Sequence, residues 1–263
     1  MPVLAAALYF IPYVAIFFIV CGLIDVLRND HRTPRLFRIY FTGNGMFTWL
    51  MSPINLLADL LSYRNRKVWK LDDMPENYRK ELDHVLGVFR DNAEKIKADI
   101  DARFKDGRRG MYIFQWYGKR HFDTVPELTR EFKYLKTVAV SVFNGRERTS
   151  FHFGPLRLTF RVLYNLGTVD SDDVYIECGN VKHVWRDDPL FIFDDTLLHR
   201  SVNDYDGRRY CVFMDMIRPS PFPRLMAAWV TLVARVAGRA NAIFYKNWTM
   251  FGKSPGLAEK TGK

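Results

Sequence analysis

Cysteine is scarce, with three in 263 residues. Cys21, Cys178 and Cys211 lie far apart and show no CxxC spacing, which excludes a disulfide framework and a cysteine-built zinc site. Cys178 and Cys211 fall in apolar, strand-like runs and read as small core residues, so a reducing compartment is the simpler expectation. Acidic residues are outnumbered, 29 Asp and Glu against 39 Lys and Arg, for a formal net charge of +10. That balance suits an anionic partner: nucleic acid, an acidic membrane surface or an acidic substrate. No stripe of stacking aromatics runs among the basic residues, so nucleic acid is supported by charge alone and is not expected. There is no internal repeat and no low-complexity tract. At 48% hydrophobic residues the chain can bury a real core, which excludes global disorder.

Charge is absent altogether from Val3 to Ile24, VLAAALYFIPYVAIFFIVCGLI. About 20 apolar residues suffice to cross a bilayer as a helix, and membrane helices tolerate a proline such as Pro12. No basic residue precedes the run and no A-x-A pattern follows it, which favours a retained anchor over a signal peptide. Arg28, His31, Arg32, Arg35 and Arg38 come after it, so the positive-inside rule places the remainder of the chain in the cytoplasm. The expected organisation is an anchor over 1–27, a juxtamembrane segment over 28–75, a catalytic domain over 76–219 and an amphipathic C-terminal piece over 220–263.

Residues 36–63 mix apolar stretches with Pro53, Asn55 and Asp59. They fit an interfacial or re-entrant segment, or equally a buried amphipathic helix. Over residues 76–101, after Pro75, the spacing of Leu82, Val85, Leu86, Phe89, Ala93, Ile96 and Ile100 predicts one long helix. Beyond it, six short runs read as strands: 111–117, 137–143, 158–166, 174–178, 190–193 and 210–216. Turn-like pieces separate them, which points to a β-sandwich or closed barrel. Residues 224–246 read as a helix with Arg224, Arg235 and Arg239, either in a headgroup region or packed on the sandwich.

His31, His84, His121 and His183 sit in polar surroundings and read as ordinary surface residues. His152 and His199 stand at the edges of strand-like runs. A ferrous oxygenase site needs ligands that bind well yet leave positions open, and imidazole suits that role. The usual H-x-[DE]…H triad is incomplete, because glycine stands at 154 where the carboxylate belongs.

The segments HFGP at 152–155, LTFRVLY around Arg161, Trp185 with FDDTLLH at 193–199, then Arg209 and DMIRP at 215–219, resemble together the aspartyl/asparaginyl β-hydroxylase family of Fe(II)/2-oxoglutarate dioxygenases. The resemblance covers residues 111–219. It implies a mainly β catalytic core (a double-stranded β-helix, or jelly-roll/cupin-like fold) with flanking helices, to which the sequence adds an N-terminal transmembrane helix. It implies His152 and His199 as iron ligands, with Gly154 at a position where other relatives carry the acid. It further implies Arg209, Arg161 and Ser141 as 2-oxoglutarate contacts, and Asp195 as an acid orienting the metal site. A guanidinium fork suits the far carboxylate of 2-oxoglutarate. Arg161 has an alternative reading, on the exposed face of its sheet. Asp194 is read as satisfying backbone donors in its turn, and Trp185 as packing.

Two departures stand out: Asp188 replaces a glycine, and Leu163 replaces a histidine common in peptide-modifying members. SPINLLADLLS at 52–62 and YIFQWYGKRH at 112–121 are similar to the bacterial lipid-modifying branch, which includes lipid A 2-hydroxylases and ornithine-lipid hydroxylases. The expectation is therefore a hydroxylase of a membrane-lipid acyl chain at the cytoplasmic face of a bacterial inner membrane. It would use Fe(II), 2-oxoglutarate and O2, with an anionic lipid as substrate and no nucleic acid. A membrane-anchored peptidyl Asp/Asn hydroxylase and a non-catalytic binder of anionic lipid are the alternatives.

Overall fold

The computed structural model describes residues 2–105, 107–121, 124–236 and 248–251, with side chains for 11–235 and 248–251 within these. Four helices come first: α1 (Pro2–Val26), α2 (Pro34–Thr42), α3 (Met46–Leu50) and α4 (Ser52–Leu61). After β1 (Val68–Trp69) come α5 (Glu76–Asp91) and α6 (Ala93–Arg103). The β region contains β2 (Arg109–Trp116), β3 (Lys119–Arg120), β4 (Leu135–Phe143), β5 (Glu147–Arg148), β6 (Thr159–Asn165) and β7 (Val174–Cys178). It continues through β8 (Val181–Val184), β9 (Leu190–Phe193), β10 (His199–Asn203) and β11 (Arg209–Ile217). The last described elements are α7 (Pro223–Val236) and β12 (Thr249–Phe251).

All six strands read from the sequence are present. The single helix expected over 76–101 is two, because the backbone leaves helical geometry at Asn92, whose side chain donates to the Val88 carbonyl. β10 escaped the sequence reading. Its text, HRSVN, is polar: His199 and Ser201 share the face toward Arg209, Arg200 pairs with Glu177, and Asn203 donates to the Asn144 and Gly207 carbonyls.

The architecture is mainly antiparallel β with flanking helices. A large sheet runs β1-β9-β6-β11-β4-β2-β12, with β3 hydrogen-bonded to β2, and a smaller sheet runs β5-β10-β7-β8. Only the β12–β2 pair is parallel among those described. Alternation sends two faces of the large sheet to two cores. Val138, Val140, Val162 and Val212 pack under α5 and α6 with Leu82, Phe89 and Ile100. Ala139, Leu163 and Phe213 face the smaller sheet and meet Ile176, Cys178 and Leu197. The three cysteines are buried and free.

Residues 36–63 are the three short helices α2 to α4, and they hold the loop that carries His152. Asn55 donates to the Pro155 carbonyl (3.1 Å) and accepts from the Arg157 amide (2.7 Å), while Thr48 donates to the Gly154 carbonyl (3.0 Å). The turn after α1 holds the other histidine loop through Asn29, whose Oδ1 accepts from the Leu198 amide (2.9 Å).

Between these clamps lies a buried ionic network. Arg157 is 1% exposed; it pairs with Asp25 and meets Asp59 (3.0 Å) and Asp194 (3.4 Å). Asp194 also meets Arg218 (2.7 Å) and Arg28 (3.0 Å). Three cations thus face three carboxylates. Burial opposes every one of these charges. For Arg157 the neighbouring Asp25, Asp194 and Asp59 overcome it and raise the pKa. For Asp194 the guanidinia of Arg218, Arg157 and Arg28 overcome it and hold the carboxyl well below its usual range. Asp194 also accepts from the Thr196 amide and hydroxyl, the turn role expected of it.

The anchor expected over 1–27 is not supported by the described residues, among which no helix is long and apolar enough to cross a membrane. The side chains of residues 1–10 lie outside them. The physical reason is visible at the other end of α1: Cys21, Asp25 and Val26 are buried in the domain, which shortens the apolar stretch left free. Arg28, counted above as a membrane-proximal charge, is held inside the network. Of the helix expected over 224–246, residues 237–246 also lie outside the described residues, as does the tail from Lys253.

Arg157→Leu leaves Asp25 and Asp194 without their shared cation in a site closed to water. Its expected cost is about 3–5 kcal/mol of unfolding free energy, to be read from denaturant titration. A loss under about 1 kcal/mol, the size of a surface ion pair, would show that the network is solvated.

Candidate active site

His152 begins the loop before β6, and His199 begins β10. Each donates to and accepts from the other's backbone, both at 3.0 Å, as an isolated antiparallel bridge. This forces the two side chains together, with ring centroids 4.2 Å apart. Nδ1 of His152 lies 2.8 Å from the Ser150 carbonyl, and Nδ1 of His199 lies 2.8 Å from the Leu197 carbonyl. A carbonyl only accepts, so Nδ1 carries the proton in each ring and the lone pair is left on Nε2. Burial lowers the pKa of both, and His152 lowers that of His199 further. Two neutral imidazoles with free Nε2 atoms are what a divalent transition metal requires.

Among the described residues no group of three or more His, Cys, Asp or Glu side chains gathers to hold a metal, so the two rings are what the site would offer one. Position 154 explains why. A side chain there would collide with the Asp195 carboxylate, and the Gly154 amide donates to the Asp195 carbonyl (2.7 Å). Asp195 occupies the space that an acid at 154 would fill. Burial raises its pKa; Arg161 pulls the other way, and Asp215 and Asp194 add to the rise, leaving it at about 7.

A narrow cavity runs past these groups, lined by His152, His199, Asp195 and Arg161 on its polar side and by Leu156, Phe213 and Trp248 on its apolar side. Arg161 is not on an exposed sheet face. Its Nη2 donates to Asp195 (2.8 Å), its Nε to Asp215 (2.8 Å), and its guanidinium stacks over Phe213 (3.7 Å).

Arg209 lies behind this wall. It is 3% exposed, and Nη2 donates to the Ser201 hydroxyl (2.8 Å). Ser201 is two residues after His199 on β10, hence on the same face. Phe143 and Trp185 flank the guanidinium at 4.8 and 5.4 Å, so Trp185 holds Arg209 as well as packing. Nε and Nη1 of Arg209 have no hydrogen-bond partner among the described residues. Burial depresses its pKa, and the groups that favour its charge are Cys211 and Tyr205, with no carboxylate among them. A buried guanidinium without an acid is costly. It fits the distal carboxylate of a dicarboxylic cosubstrate such as 2-oxoglutarate, which would bring the missing charge and acceptors. Ser141 shares this inter-sheet space with Ala139 and Phe143, and its hydroxyl donates to the Cys211 carbonyl (3.0 Å).

The structure therefore brings His152, His199, Asp195 and Arg161 to one wall, with Arg209 and Ser141 deeper. Ser201 and the flanking role of Trp185 were missed by sequence reasoning. The period-2 rule applied from His199 would have found Ser201 had β10 been recognised. Of the other histidines, His31 and His84 are exposed, His121 is half-buried, and His183 stacks on Phe191 at 4.5 Å.

A family model described as Aspartyl/Asparaginyl beta-hydroxylase matches residues 75–219. The ornithine lipid ester-linked acyl 2-hydroxylase of Rhizobium tropici is 27% identical over 101 residues, 37% of this chain and 35% of that protein. The chain spans about a third of the length of that curated relative. Among solved structures, a prolyl hydroxylase from Trichoplax adhaerens, in complex with a hypoxia inducible factor peptide fragment, is 15% identical with a TM-score of 0.33. The match covers 69% of this chain and 96% of that one. An oxidoreductase of the 2OG-Fe(II) oxygenase family from Burkholderia pseudomallei is 10% identical over 37% of this chain and 52% of that one, with a TM-score of 0.27.

The lowered pKa values predict how metal binding responds to pH. Two ordinary imidazoles, half protonated at about pH 6.5, would lose about fourfold in affinity there. Here burial lowers both, so Ni(II) affinity measured by calorimetry is expected to fall between pH 7.5 and 6.5 by less than ordinary imidazoles would give. His199→Ala is expected to remove the binding.

Proposed function

Because the chain belongs to the aspartyl/asparaginyl β-hydroxylase family, we propose that it is an Fe(II)- and 2-oxoglutarate-dependent hydroxylase of a membrane-lipid acyl chain. The observation that carries the cofactor reading is the pair of Nδ1-anchored imidazoles with the acid-free guanidinium of Arg209 behind them. With Fe(II) bound, 2-oxoglutarate and O2 supply the oxidation, one oxygen atom entering the substrate C–H bond and the other leaving in succinate as CO2 is lost. His152 and His199 would hold the metal through Nε2, and Arg209 would fix the distal carboxylate of the cosubstrate. Asp195, tied to Arg161, sets the charge beside the histidines. The stacked sheets are read as the double-stranded β-helix of such oxygenases.

The lipid substrate has separate support. The matched relative from Rhizobium tropici is an ester-linked acyl 2-hydroxylase. Leu163 belongs to the apolar cluster of Phe191 and Phe213, where peptide-modifying members of the family commonly carry a histidine. We place the reaction at C2 of the acyl chain, on the cytoplasmic face of a bacterial inner membrane. The basic residues after α1 favour an anionic head group there.

Two measurements test this reading. Purified protein with Fe(II) and 2-oxoglutarate should release succinate. Arg209→Gln should raise the KM for 2-oxoglutarate about 10- to 100-fold, as expected for a charge-assisted pair. Mass spectrometry of lipids from cells expressing the chain should show one lipid class gaining a single oxygen atom, and His199→Ala should remove the gain. Succinate release without any oxygenated lipid would retain the oxygenase and overturn the substrate.

A further inference from the structure

Apolar side chains on a protein surface are ordinary when scattered and informative when contiguous. Here they are contiguous across three helices. α1 presents Val14, Ile16, Phe17, Val20 and Ile24 outward, each about half exposed. α1 packs on α4, and α4 turns Leu57 and Leu60 to the outside, Leu60 at 83% exposure. α4 and α7 share one apolar cluster, Ala58 with Met226 and Val230, and the outward row of α7 carries Leu225 and Leu232, the latter 59% exposed.

Charge is sorted along the same helices. The acids of α1 to α4 and α7 are Asp25 and Asp59, and both turn inward to Arg157. The outward cations remain: Arg35 and Arg38 on α2, Arg64 just after α4, and Arg224 and Arg235 on α7. A surface that is apolar and positive, with no exposed acid on its helices, complements an anionic bilayer. A groove of about 420 Å³ between α1 and α3, walled by Val14 of the outward row with Phe18, Ile19, Trp49 and Leu50, fits an acyl tail. The α4–α7 cluster also contains Leu156, with Tyr117 packed against it, and both residues line the active-site cavity.

We propose that the composite face of α1, α4 and α7 lies on an anionic phospholipid bilayer and admits the substrate acyl chain to the cavity past Tyr117 and Leu156. The inference rests on the lipid-hydroxylase reading above and adds the docking surface and the route. No spanning helix is required, because several partly embedded helices share the burial.

The native cysteines are buried, so a cysteine introduced on the surface can be labelled selectively. The full chain carrying Leu60→Cys or Leu232→Cys, labelled with an environment-sensitive fluorophore, is mixed with vesicles of phosphatidylcholine and phosphatidylglycerol. The label should brighten and shift to the blue at both positions, and at neither with phosphatidylcholine alone. Asp172→Cys, in the loop before β7, should not respond. Silence at 60 and 232 while the protein floats with the vesicles, or failure to bind vesicles at all, overturns the proposal. In cells, Leu60→Glu with Leu232→Glu should lower lipid oxygenation at least about tenfold, with succinate release by the purified variant unchanged. Undiminished oxygenation also overturns it. Absence of succinate release from the wild type would instead overturn the oxygenase reading and leave the vesicle result standing.

Discussion

The six-charge cluster of Arg28, Arg157 and Arg218 with Asp25, Asp59 and Asp194 is the constraint on which the rest of the structure depends. Its members come from α1 and the turn after it, from α4, from the histidine loop, from the turn after β9 and from the end of β11. Each is unaffordable alone in a dry interior, and the set is tolerable only when all are in register. Hydrophobic contact would let α1 and α4 slide on the sheets, whereas ion pairs in fixed directions do not. Asp194 sits next to Asp195, and Arg157 follows three residues after Gly154. The network therefore sets the positions of the two loops that present His152 and His199.

Much of the core was legible because strand physics is local. Alternating or continuous apolar runs between turn residues located β2, β4, β6, β7, β9 and β11 within one or two residues. The long helix was read as one because its apolar spacing continues through Asn92, where a single side chain turning back on Val88 breaks it. The N-terminal helices were harder. Pro53, Asn55 and Asp59 looked like interruptions of a membrane segment, and each polar one proves to be a contact with the histidine loop or with Arg157. A buried polar side chain whose partner lies a hundred residues away leaves no periodic trace in sequence.

The candidate site was legible only in part, for a related reason. His152, His199 and Arg209 were marked by a motif. What makes them serviceable is tertiary: carbonyls of Ser150 and Leu197 that choose the tautomers, and rings of Phe143 and Trp185 that hold a guanidinium with no acid beside it. Asp195 is the clearest case. From sequence it was an acid four residues before a histidine. In space its carboxylate fills the volume next to Gly154, so the glycine is a steric requirement of the neighbouring loop and not simply a deletion from a triad.

The same sorting of charge serves the inside and the outside of the N-terminal helices. Asp25 and Asp59 are drawn inward by Arg157 and Arg218, which have no other way to be buried. That demand removes the acids of the helices α1 to α4 from their outer faces, while Arg35 and Arg38 of α2 and Arg64 after α4 stay exposed. A helix hairpin built only to cover a core would disperse both signs over its exposed side. Here the interior ion pairs consume the acids, and the exterior becomes apolar and positive as a direct result. The fold's most expensive internal feature and its proposed membrane face are two consequences of one distribution of carboxylates.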